Sequence, residues 1–502
     1  MRHLVQYSCY GIFCFLLVSV FRPVPSRAQE LTLRTDGKSR LQVVSADNDA
    51  FVTVSTTDLP NNTSRAGFTF YDGTFREGQK LNLSIPLQSV LTSHDYNGFH
   101  HLFVFKSKIG DNGSAVILNK NGIITAQHSF TSQSFAKPPV VLAQRGDPAF
   151  YRLDYLDQRG GLAFGKLDST GRSLWKRNFV ADEKGEIGQM QLLGNLLLFT
   201  TRAKVTSRKV SVRLVGISRE NGQVLFDKPL ADEQLVTDPT AFGLSGDTLL
   251  VAGSFFREGQ MRTKDCDGIF LAAFNQQGAP LFRQLYDWET VIGPAYRKSG
   301  INCDLRAVVC QQIVPARDGF RVLVETFDKV ANGVDFANNA ALGVLELMSG
   351  LPLPYVNSQL STFRVQDMFV FNAGPAGNLT GIGRVEKLPS YKAIRNDYVG
   401  MTSPHFMRAG GVFDHHFTLQ PAGGAAPYGF IKENVKENQR IGVFRFTGDN
   451  TLPVQSYYLA NLGVTEKVKS FDFVYGSETA VLVLYRVKKD LHFRKVALSN
   501  FQ

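Results

Sequence analysis

Two groups of histidines are the residues in this sequence whose types could hold a transition metal. The first group is Asp414, His415 and His416, with His405 upstream, and the second is His100 and His101. Imidazole pairs suit Zn²⁺ or Cu²⁺. Successive side chains of a strand point to opposite faces, so adjacent histidines in a strand cannot easily share one ion. We interpret both groups as loop or rim histidines and predict no metal site.

Two acidic fragments resemble parts of calcium loops. They are Asp47-Asn48-Asp49 and Asp265-Cys266-Asp267-Gly268. A hard cation of this kind takes about six to eight oxygen ligands, and neither fragment supplies enough of them locally. Asp and Asn also bond to their own backbone in turns. Turn formation is therefore the favoured interpretation.

Hydrolysis of a glycan would need two carboxylates that face each other across a cleft. Glu325, Asp154 and Glu386 are candidates for the wall of a central channel. None of them lies in a motif that distinguishes it from a surface acid. The chain also has no Gly-x-Ser-x-Gly nucleophile turn and no phosphate-binding loop. The catalytic and binding residues stay unassigned, and the sequence neither supports nor excludes an enzyme.

Three cysteines lie beyond the first 28 residues: Cys266, Cys303 and Cys310. An oxidising compartment permits one disulfide among three thiols. Cys303 with Cys310 and Cys303 with Cys266 are the two pairings considered, and spacing does not choose between them. With so few cysteines, the fold must rest on an apolar core, for which 43% hydrophobic residues and 39 phenylalanines are available.

Short apolar runs, rich in Val, Phe, Leu and Ile, are the elements that would position these residues. Several runs alternate between apolar and polar residues, as in residues 209–214, which is typical of half-buried strands. No long amphipathic helix is predicted. The sequence therefore indicates an all-β fold.

The apolar runs recur about every fifty residues, which indicates stacked supersecondary units. One unit holds four strands of about six residues with their turns, the size of one propeller blade. A glycine is expected in the tight turn of each unit, where φ is positive. The turn glycines are Gly73, Gly122, Gly171, Gly222 and Gly278. Neighbouring sheets would bury each other's apolar faces.

Nine runs mark the starts of units, one more than a propeller of up to about eight blades allows. They begin near Phe51, Phe99, Phe150, Leu196, Thr248, Phe320, Leu379, Tyr428 and Thr479. Either one start is false or the two chain ends share a blade. Pairing Leu31–Arg34 with the last strands would close the ring. We predict a β-propeller of eight four-stranded blades, with seven as the alternative and two packed β-domains or an array of β-sandwiches as the structural rival.

Two segments interrupt the regular spacing. Residues 286–310 are too long for a blade connection and contain two of the three cysteines. Residues 400–424 are rich in Gly, Ala and His, and we expect loop rather than strand there. Long loops often carry function, and plain surface excursions are equally common.

The first 28 residues have the pattern of a secretory signal. Arg2 and His3 precede an apolar stretch from Tyr10 to Phe21, and Ser26-Arg27-Ala28 provides small residues before a cleavage site at Gln29. The stretch is shorter than the ~20 residues that cross a bilayer. We predict a signal peptide at 1–28, one domain at 29–502, and a periplasmic or extracellular protein with no transmembrane segment after cleavage.

The chain beyond residue 28 is moderately basic. Removing the three arginines of the signal lowers the net charge from +11 to +8. Such a charge can attract anionic lipid, polysaccharide or nucleic acid. The basic residues are scattered, however, and no nucleic-acid recognition motif is present. We expect a solvated basic surface and no nucleic-acid partner.

Residues 167–175, Leu-Asp-Ser-Thr-Gly-Arg-Ser-Leu-Trp, resemble the turn-and-tryptophan motif with which quinoprotein propellers dock their blades. Phe226 and Phe282 take the place of Trp175 in other units. Quinone-binding enzymes of that class usually carry a vicinal disulfide, and this chain has no adjacent cysteines. The resemblance implies packing between blades and no quinone cofactor.

The chain also resembles a family of secreted bacterial proteins of unknown function. The residues that carry this resemblance are Tyr286-Asp287-Trp288, Arg317-Asp318-Gly319-Phe320 leading to Glu325, and residues 366–371, Gln-Asp-Met-Phe-Val-Phe. It implies export and a β-rich repeat fold, and it assigns no catalytic residue.

Ring-shaped sheets with variable loops provide binding surfaces without requiring chemistry. The sequence therefore favours an exported binding or scaffold protein of the cell envelope. Its partner would be a glycan, a peptide or another envelope protein, and we expect a monomer without cofactors. The alternative is an envelope hydrolase that acts on glycans with channel carboxylates.

Overall fold

Eight sheets follow one another along the chain in this computed structural model, and their strand pairs are antiparallel except for β25 (Leu379–Glu386) with β30 (Thr451–Pro453). Strands make up 73% of the structure and helices 3%. Both the all-β fold and the count of eight blades are therefore confirmed. The structure describes residues 30–501 except 34–39, 48, 132–138, 156–160, 181–185, 205–209, 231–234, 258–265, 299–306, 331–358, 397–412, 420–425, 436–437, 448–450, 461–467, 469 and 478–479.

The first four blades contain strands β2 to β17, and β1 (Glu30–Leu33) precedes them. Blade 1 comprises β2 (Arg40–Ser45), β3 (Phe51–Asp58), β4 (Thr63–Tyr71) and β5 (Glu77–Pro86). Blade 2 comprises β6 (Ser89–Tyr96), β7 (His100–Ser107), β8 (Asn112–Asn119) and β9 (Ile124–Thr131). Blade 3 comprises β10 (Val140–Ala143), β11 (Phe150–Tyr155), β12 (Gly161–Leu167) and β13 (Ser173–Val180). Blade 4 comprises β14 (Glu186–Leu193), β15 (Leu196–Lys204), β16 (Val210–Ser218) and β17 (Val224–Pro229).

The last four blades contain β18 to β34. Blade 5 comprises β18 (Leu235–Ser245), β19 (Thr248–Arg257), β20 (Gly268–Phe274) and β21 (Pro280–Asp287). Blade 6 comprises β22 (Val308–Ala316), β23 (Gly319–Val330), β24 (Gln359–Ala373) and β25 (Leu379–Glu386), extended by β26 (Ser390–Asn396) and β30 (Thr451–Pro453). Blade 7 comprises β27 (His415–Leu419), β28 (Tyr428–Val435), β29 (Asn438–Arg445) and β31 (Gln455–Tyr458). Blade 8 comprises β32 (Ser470–Ser477), β33 (Ala480–Val487), β34 (Asp490–Ala497) and β1.

The two ends of the described chain meet in blade 8. Strand β1 pairs antiparallel with β34, and Glu30 lies opposite Arg494 while Leu33 lies opposite Leu491. This pairing confirms the predicted closure of the ring. It also covers a strand edge that would otherwise be exposed.

The start predicted at Leu379 is the false one among the nine. Residues 379–386 form β25, the fourth strand of blade 6. Residues 384–386 of its outer edge pair with β30 in parallel, so Val385 is buried although this strand is the fourth of its blade. The other eight starts fall at or beside the second strand of each blade, which is buried on both faces and therefore gives the strongest apolar run.

Aromatic side chains join neighbouring blades. The ring of Phe51 on blade 1 stacks on Phe493 of blade 8 with centroids 4.7 Å apart, and Phe164 of blade 3 stacks on Phe199 of blade 4 at 4.6 Å. All four side chains are buried. Single blades cannot hide both of their faces, so these interfaces form the core.

Turn glycines lie under aromatic rings of the preceding blade. Gly222, in the turn between β16 and β17, has a φ of +72°, and a methyl group there would lie 2.6 Å from Cε3 of Trp175 on β13. The indole Nε1 of Trp175 also donates to the carbonyl oxygen of Arg219 at 3.2 Å. Phe226 covers Gly278 in the same way, and Phe282 covers Gly377. The docking role expected for Trp175 and its phenylalanine counterparts is thus present.

One turn glycine does not follow the expected pattern. Gly73 of blade 1 is absent from the residues with positive φ, and Phe75 takes the left-handed conformation with a φ of +63°. Asp72 Oδ1 accepts the backbone N–H groups of Thr74 and Arg76 at 2.8 and 3.0 Å. The aspartate fixes the turn, so the left-handed position lies three residues after it and not at the glycine.

Gly222→Ala should destabilise the protein more than Gly246→Ala. Gly246 also has a positive φ, +56°, but no heavy atom lies within 4 Å of the position that a methyl group would take. Both variants share the strain of a left-handed alanine. Only Gly222→Ala overpacks Trp175, so its loss of unfolding free energy should exceed that of Gly246→Ala by about 1–3 kcal/mol. Urea unfolding measures both, and equal losses would show that the indole moves aside freely.

The two irregular segments contain regular structure where they are described. In residues 286–310, a π-helix spans Trp288–Ile292 and an α-helix spans Gly293–Lys298, while a 3-10 helix at Leu498–Phe501 follows the last strand. Strand β27 lies within residues 400–424, where a loop was expected. None of the helices in the described ranges has the length and apolarity needed to cross a membrane.

Candidate functional site

The blades of a propeller surround a central channel, and first strands of neighbouring blades contact one another in this protein. Strand β6 contacts β10, β14 contacts β18, and β18 contacts β22. A cavity of about 600 Å³ opens among β2, β6, β32 and β33, with β28 at one side. Its volume lies in the range of small-ligand sites. We call it the channel pocket.

Two cations and one carboxylate lie in the wall of the channel pocket that blades 7 and 8 form. Lys432, Asp472 and Arg486 line it, and Lys432 Nζ lies 3.4 Å from Asp472 Oδ1. The same ammonium lies 5.1 Å from the centroid of the Phe471 ring. His416 Nε2 also lies 3.4 Å from Asp472 Oδ1, although His416 does not line the pocket. Because Lys432 and Arg486 outnumber Asp472, this wall favours an anionic ligand group.

Hydroxyl and imidazole groups of blade 2 form the facing wall. Thr92, Ser93 and His94 lie on β6 and line the pocket. Thr92 Oγ1 donates to the carbonyl of Val104 at 3.1 Å, and Ser93 Oγ accepts the N–H of Val141 at 3.1 Å. Both hydroxyls are therefore held in place and keep further hydrogen-bonding capacity for a ligand.

A stack of aromatic rings supports His94 from behind. His94 Nε2 and His101 Nδ1 share a hydrogen bond of 3.1 Å, and His101 stacks on Tyr96 with centroids 4.3 Å apart. Burial lowers the pKa of His94 to about 3 and lowers the pKa of His101 well below its ordinary value. Both imidazoles are consequently neutral at neutral pH, and the pair is a polar support and not a cationic site.

Asp95 lies on the same strand and is bound to backbone groups. Its Oδ2 accepts the N–H of Ala143 at 2.6 Å, and its Oδ1 accepts the N–H of Tyr96 at 2.8 Å. Burial outweighs these bonds and raises the pKa of Asp95 to about 6. This carboxyl therefore takes up a proton more readily than an exposed aspartate.

The histidines considered as metal ligands contact different groups. His415 Nε2 lies 3.1 Å from Thr418 Oγ1, whereas His416 Nε2 lies near Asp472. His405 lies outside the described residues. His100 and His101 are consecutive on β7, and His101 is bound to His94. Across the described ranges, no three His, Cys, Asp or Glu side chains are grouped so that they could hold a metal ion.

The two acidic fragments take part in turns and ion pairs. Asp47 Oδ2 accepts the phenolic hydroxyl of Tyr96 at 2.9 Å, and Asp49 forms an ion pair with Lys495. Asp267 Oδ2 accepts the N–H of Arg257 at 2.6 Å. Asn48 and Asp265 lie outside the described residues. The carboxylates that are described hold the backbone and neighbouring blades.

Cys266 and Cys310 are buried. Burial raises the pKa of the Cys266 thiol to about 12, so this side chain is a poor nucleophile at neutral pH. Cys303 lies outside the described residues. The pairing of Cys303 with Cys310 or with Cys266 stays a prediction.

The three carboxylates considered for hydrolysis do not converge. Asp154 pairs with Arg152 on its own strand at 2.7 Å, and Glu386 is exposed at the end of β25. Glu325 on β23 is buried instead and meets Asp414, a residue from the first histidine group. The two residues are 89 positions apart in the sequence, so their contact could not be predicted from local patterns.

Lys387 lies between these two buried carboxylates. Its Nζ is 2.9 Å from Asp414 Oδ2 and 3.4 Å from Glu325 Oε1, and all three side chains are 0% exposed or nearly so. Ser390 Oγ lies 2.7 and 2.8 Å from the two oxygens of Asp414. Gln311 Nε2 donates to Glu325 Oε2 at 3.1 Å. We call these five residues the buried ionic cluster.

The cluster holds one cation against two acids. Burial raises the pKa of Glu325, and the nearby charge of Asp414 raises it further, while Lys387 opposes the change. Burial disfavours the charge on Lys387, yet the two carboxylates outweigh burial and raise its pKa. No sequence pattern pointed to Lys387 or Ser390, because their partners are distant in the chain.

The region that contains this cluster matches a known family. The model of a family of unknown function, DUF6770, matches residues 166–424, just over half of the 502 residues. The chain belongs to this family. The predicted resemblance to a family of unknown function is thereby confirmed. The DUF6770 region includes Glu325, Lys387 and Asp414, whereas Lys432 and Asp472 of the channel pocket lie beyond it.

Other comparisons are distant. A search of curated proteins found no match. A Synechocystis apocarotenoid oxygenase variant is 9% identical over 49% of this chain and 64% of its own, with a TM-score of 0.29. The match thus spans less than two thirds of that protein.

Two further solved structures cover more of their own chains. A eukaryotic initiation factor is 10% identical over 86% of this chain and 98% of its own, with a TM-score of 0.35. A protein of unknown function from Bacteroides caccae is 10% identical over 49% of this chain and 94% of its own, with a TM-score of 0.24. At these TM-scores the three structures carry no argument about fold or function.

Proposed function

We propose that this chain is an exported binding protein whose channel pocket takes a polar ligand with an anionic group, such as an acidic glycan. The observation that carries the proposal is the composition of the pocket wall. Lys432 and Arg486 line the same cavity of about 600 Å³ as the hydroxyl groups of Thr92 and Ser93 on β6. Cations of this kind bind carboxylates, and fixed hydroxyls bind sugar hydroxyls.

The positions of the acidic side chains favour a binding protein over a hydrolase. Asp472 is the one carboxylate among the described residues that line the channel pocket. Glu325 and Asp414 are enclosed with Lys387 and have no exposed side-chain surface to offer a substrate. A hydrolase would need two accessible carboxylates on opposite sides of one bond.

Export and a single mature domain at 29–502 are part of this proposal. The apolar stretch of residues 10–21 and the Ser-Arg-Ala sequence at 26–28 support it. Fractionation of the producing cell, followed by N-terminal sequencing of the protein, tests it. A mature chain that begins at Gln29 outside the cytoplasm is expected, and an uncleaved cytoplasmic chain would contradict export.

Binding of an acidic glycan should depend on Lys432 and Arg486. We expect Arg486→Ala or Lys432→Ala to weaken binding at least tenfold, equivalent to about 1.4 kcal/mol, because each removes a charge-assisted hydrogen bond. A glycan and peptide array identifies the ligand, and titration calorimetry measures the change in affinity.

Lys80→Ala is the matched control for these variants. Lys80 lies on the outer strand β5, pairs with Glu77 at 2.7 Å and is 60% exposed. Its replacement should leave affinity unchanged. If instead a glycan is cleaved and Asp472→Asn stops the cleavage, the protein is a hydrolase and the binding proposal is wrong. Equal affinity in wild type and Arg486→Ala would also contradict it.

A further inference from the structure

The buried ionic cluster places an amine against a carboxyl group, and both side chains are enclosed by the protein. The side chains of Lys387 and Asp414 are in hydrogen-bond contact at 2.9 Å, and the relative exposure of Lys387, Glu325 and Asp414 side chains does not exceed 1%. Attack geometries in enzymes bring reacting atoms to about 3–3.5 Å. The carboxyl carbon of Asp414 is bonded to the oxygen that Lys387 contacts, so amine and carbon are neighbours.

We propose that Lys387 and Asp414 join through an intramolecular amide bond, with Glu325 carrying a proton from the attacking nitrogen to the departing hydroxyl. The resulting bond links Nζ of Lys387 to Cγ of Asp414. It would be a modification of the folded chain by its own residues, and it needs no cofactor and no external reactant.

Asp414, and not Glu325, is the electrophile in this arrangement. Lys387 Nζ lies closer to Asp414 than to Glu325, by 2.9 against 3.4 Å. Ser390 Oγ contacts both oxygens of Asp414 and can donate to the oxygen that becomes negative during attack. Glu325 instead accepts N–H groups from Gln311 and from the backbone of Asp414, which fix it beside the reacting nitrogen.

Burial favours the amide over the ion pair. Keeping an ammonium and a carboxylate out of water costs several kcal/mol for each ion. Condensation replaces both charges by one neutral amide and releases a water molecule. The nucleophilic form of lysine is the neutral amine, and within the cluster it forms when the ammonium passes a proton to a neighbouring carboxylate.

The reaction balances in protons and charge. Lys387 passes one proton to Asp414, and the free amine attacks Cγ to form the C–N bond. Glu325 accepts a second proton from the nitrogen and delivers it to the departing hydroxyl. The C–O bond breaks and water leaves. An ammonium and a carboxylate become an amide and water, and nothing is oxidised or reduced.

The bond would join two blades. Lys387 directly follows the fourth strand of blade 6, and Asp414 directly precedes β27 of blade 7. The two residues are 27 positions apart. A covalent link between them restricts the unfolded chain, as a disulfide of similar loop length does.

Mass spectrometry of the purified wild-type protein tests the proposal. A protease digest should contain one branched peptide that holds both Lys387 and Asp414, with a mass lower than the sum of its parts by one water. The two unlinked peptides should be absent or minor. The mass of the branched peptide does not depend on where the mature chain begins, so this test is independent of the proposed export. A folded wild-type protein that yields only the unlinked peptides overturns the proposal.

Variants assign the roles. Lys387→Met and Asp414→Ala should abolish the branched peptide, and Asp414→Asn should form the same link with loss of ammonia in place of water. Glu325→Gln should stay folded by circular dichroism and accumulate the unlinked peptides. A fully linked Glu325→Gln protein would overturn the role of Glu325.

The pair of Lys432 and Asp472 is the control within the same protein. It is more exposed, at a distance of 3.4 Å, and should give no branched peptide. A link there would show that proximity alone suffices.

Discussion

Lys387→Met is expected to lower the free energy of unfolding by about 3–5 kcal/mol. The methionine fills much of the same volume but leaves Glu325 and Asp414 buried without a cation, and this holds whether the wild-type pair is ionic or amide-linked. The carboxylates can escape only by taking up protons, so the deficit should shrink as the pH falls. Urea unfolding at several pH values measures it.

Lys80→Met provides the comparison for Lys387→Met. The pair of Lys80 with Glu77 has similar chemistry but is 60% and 48% exposed. Exposed pairs contribute little, so this variant should change stability by less than about 1 kcal/mol. If both lysine variants cost the same small amount, the buried ionic cluster does not hold blades 6 and 7 together as described.

Stability should fall on acidification from pH 6 to pH 4, and Asp95→Asn should steepen the fall. In this window the unfolded chain binds two protons at His94 and His101, which the folded chain excludes because burial lowers both pKa values. The folded chain binds one proton at Asp95, whose pKa of about 6 lies above its ordinary value of 3.8. The unfolded state therefore binds one net proton more.

The sign and size of this dependence follow from the proton difference. One net proton gives these groups a slope of about 1.4 kcal/mol per pH unit, with stability rising as the pH rises. Asp95→Asn removes the proton that the folded state binds, so the slope of stability against pH should be about twice as large in this variant. His94→Gln removes one proton that the unfolded state binds, so this variant should have a slope close to zero.

Denaturant unfolding between pH 4 and pH 6 checks these slopes. Asp247→Asn, in an exposed turn, is the control for the amide substitution and should keep the wild-type slope. A wild-type slope that Asp95→Asn leaves unchanged would mean that Asp95 is ionised in the folded protein throughout this range.

The architecture could be predicted because each blade repeats the same local pattern. The apolar second strands, the turn glycines such as Gly222 and the aromatic residues such as Trp175 are all signals within about fifty residues of one another. The number of unit starts was one too high because of Leu379, which begins an outer strand that β30 covers in part, so that Val385 is buried. Turn chemistry at Asp72 likewise displaced the left-handed position from Gly73 to Phe75.

The sites could not be predicted in the same way. Glu325 is a candidate channel acid in the sequence and Asp414 precedes two histidines, but no sequence pattern connects the two residues. Lys387 had no signal, since a lysine after a strand usually lies in solvent. Lys432 and Asp472 are 40 positions apart and on different blades.

The sequence by itself determined that this chain is a ring of β-sheets, because strand and turn preferences act between residues that are near in the chain. The tertiary structure decided which side chains share the channel pocket and which share the buried ionic cluster. Packing of one blade on the next brings together residues 27 to 89 positions apart, and it sets their burial, which controls their charge and reactivity.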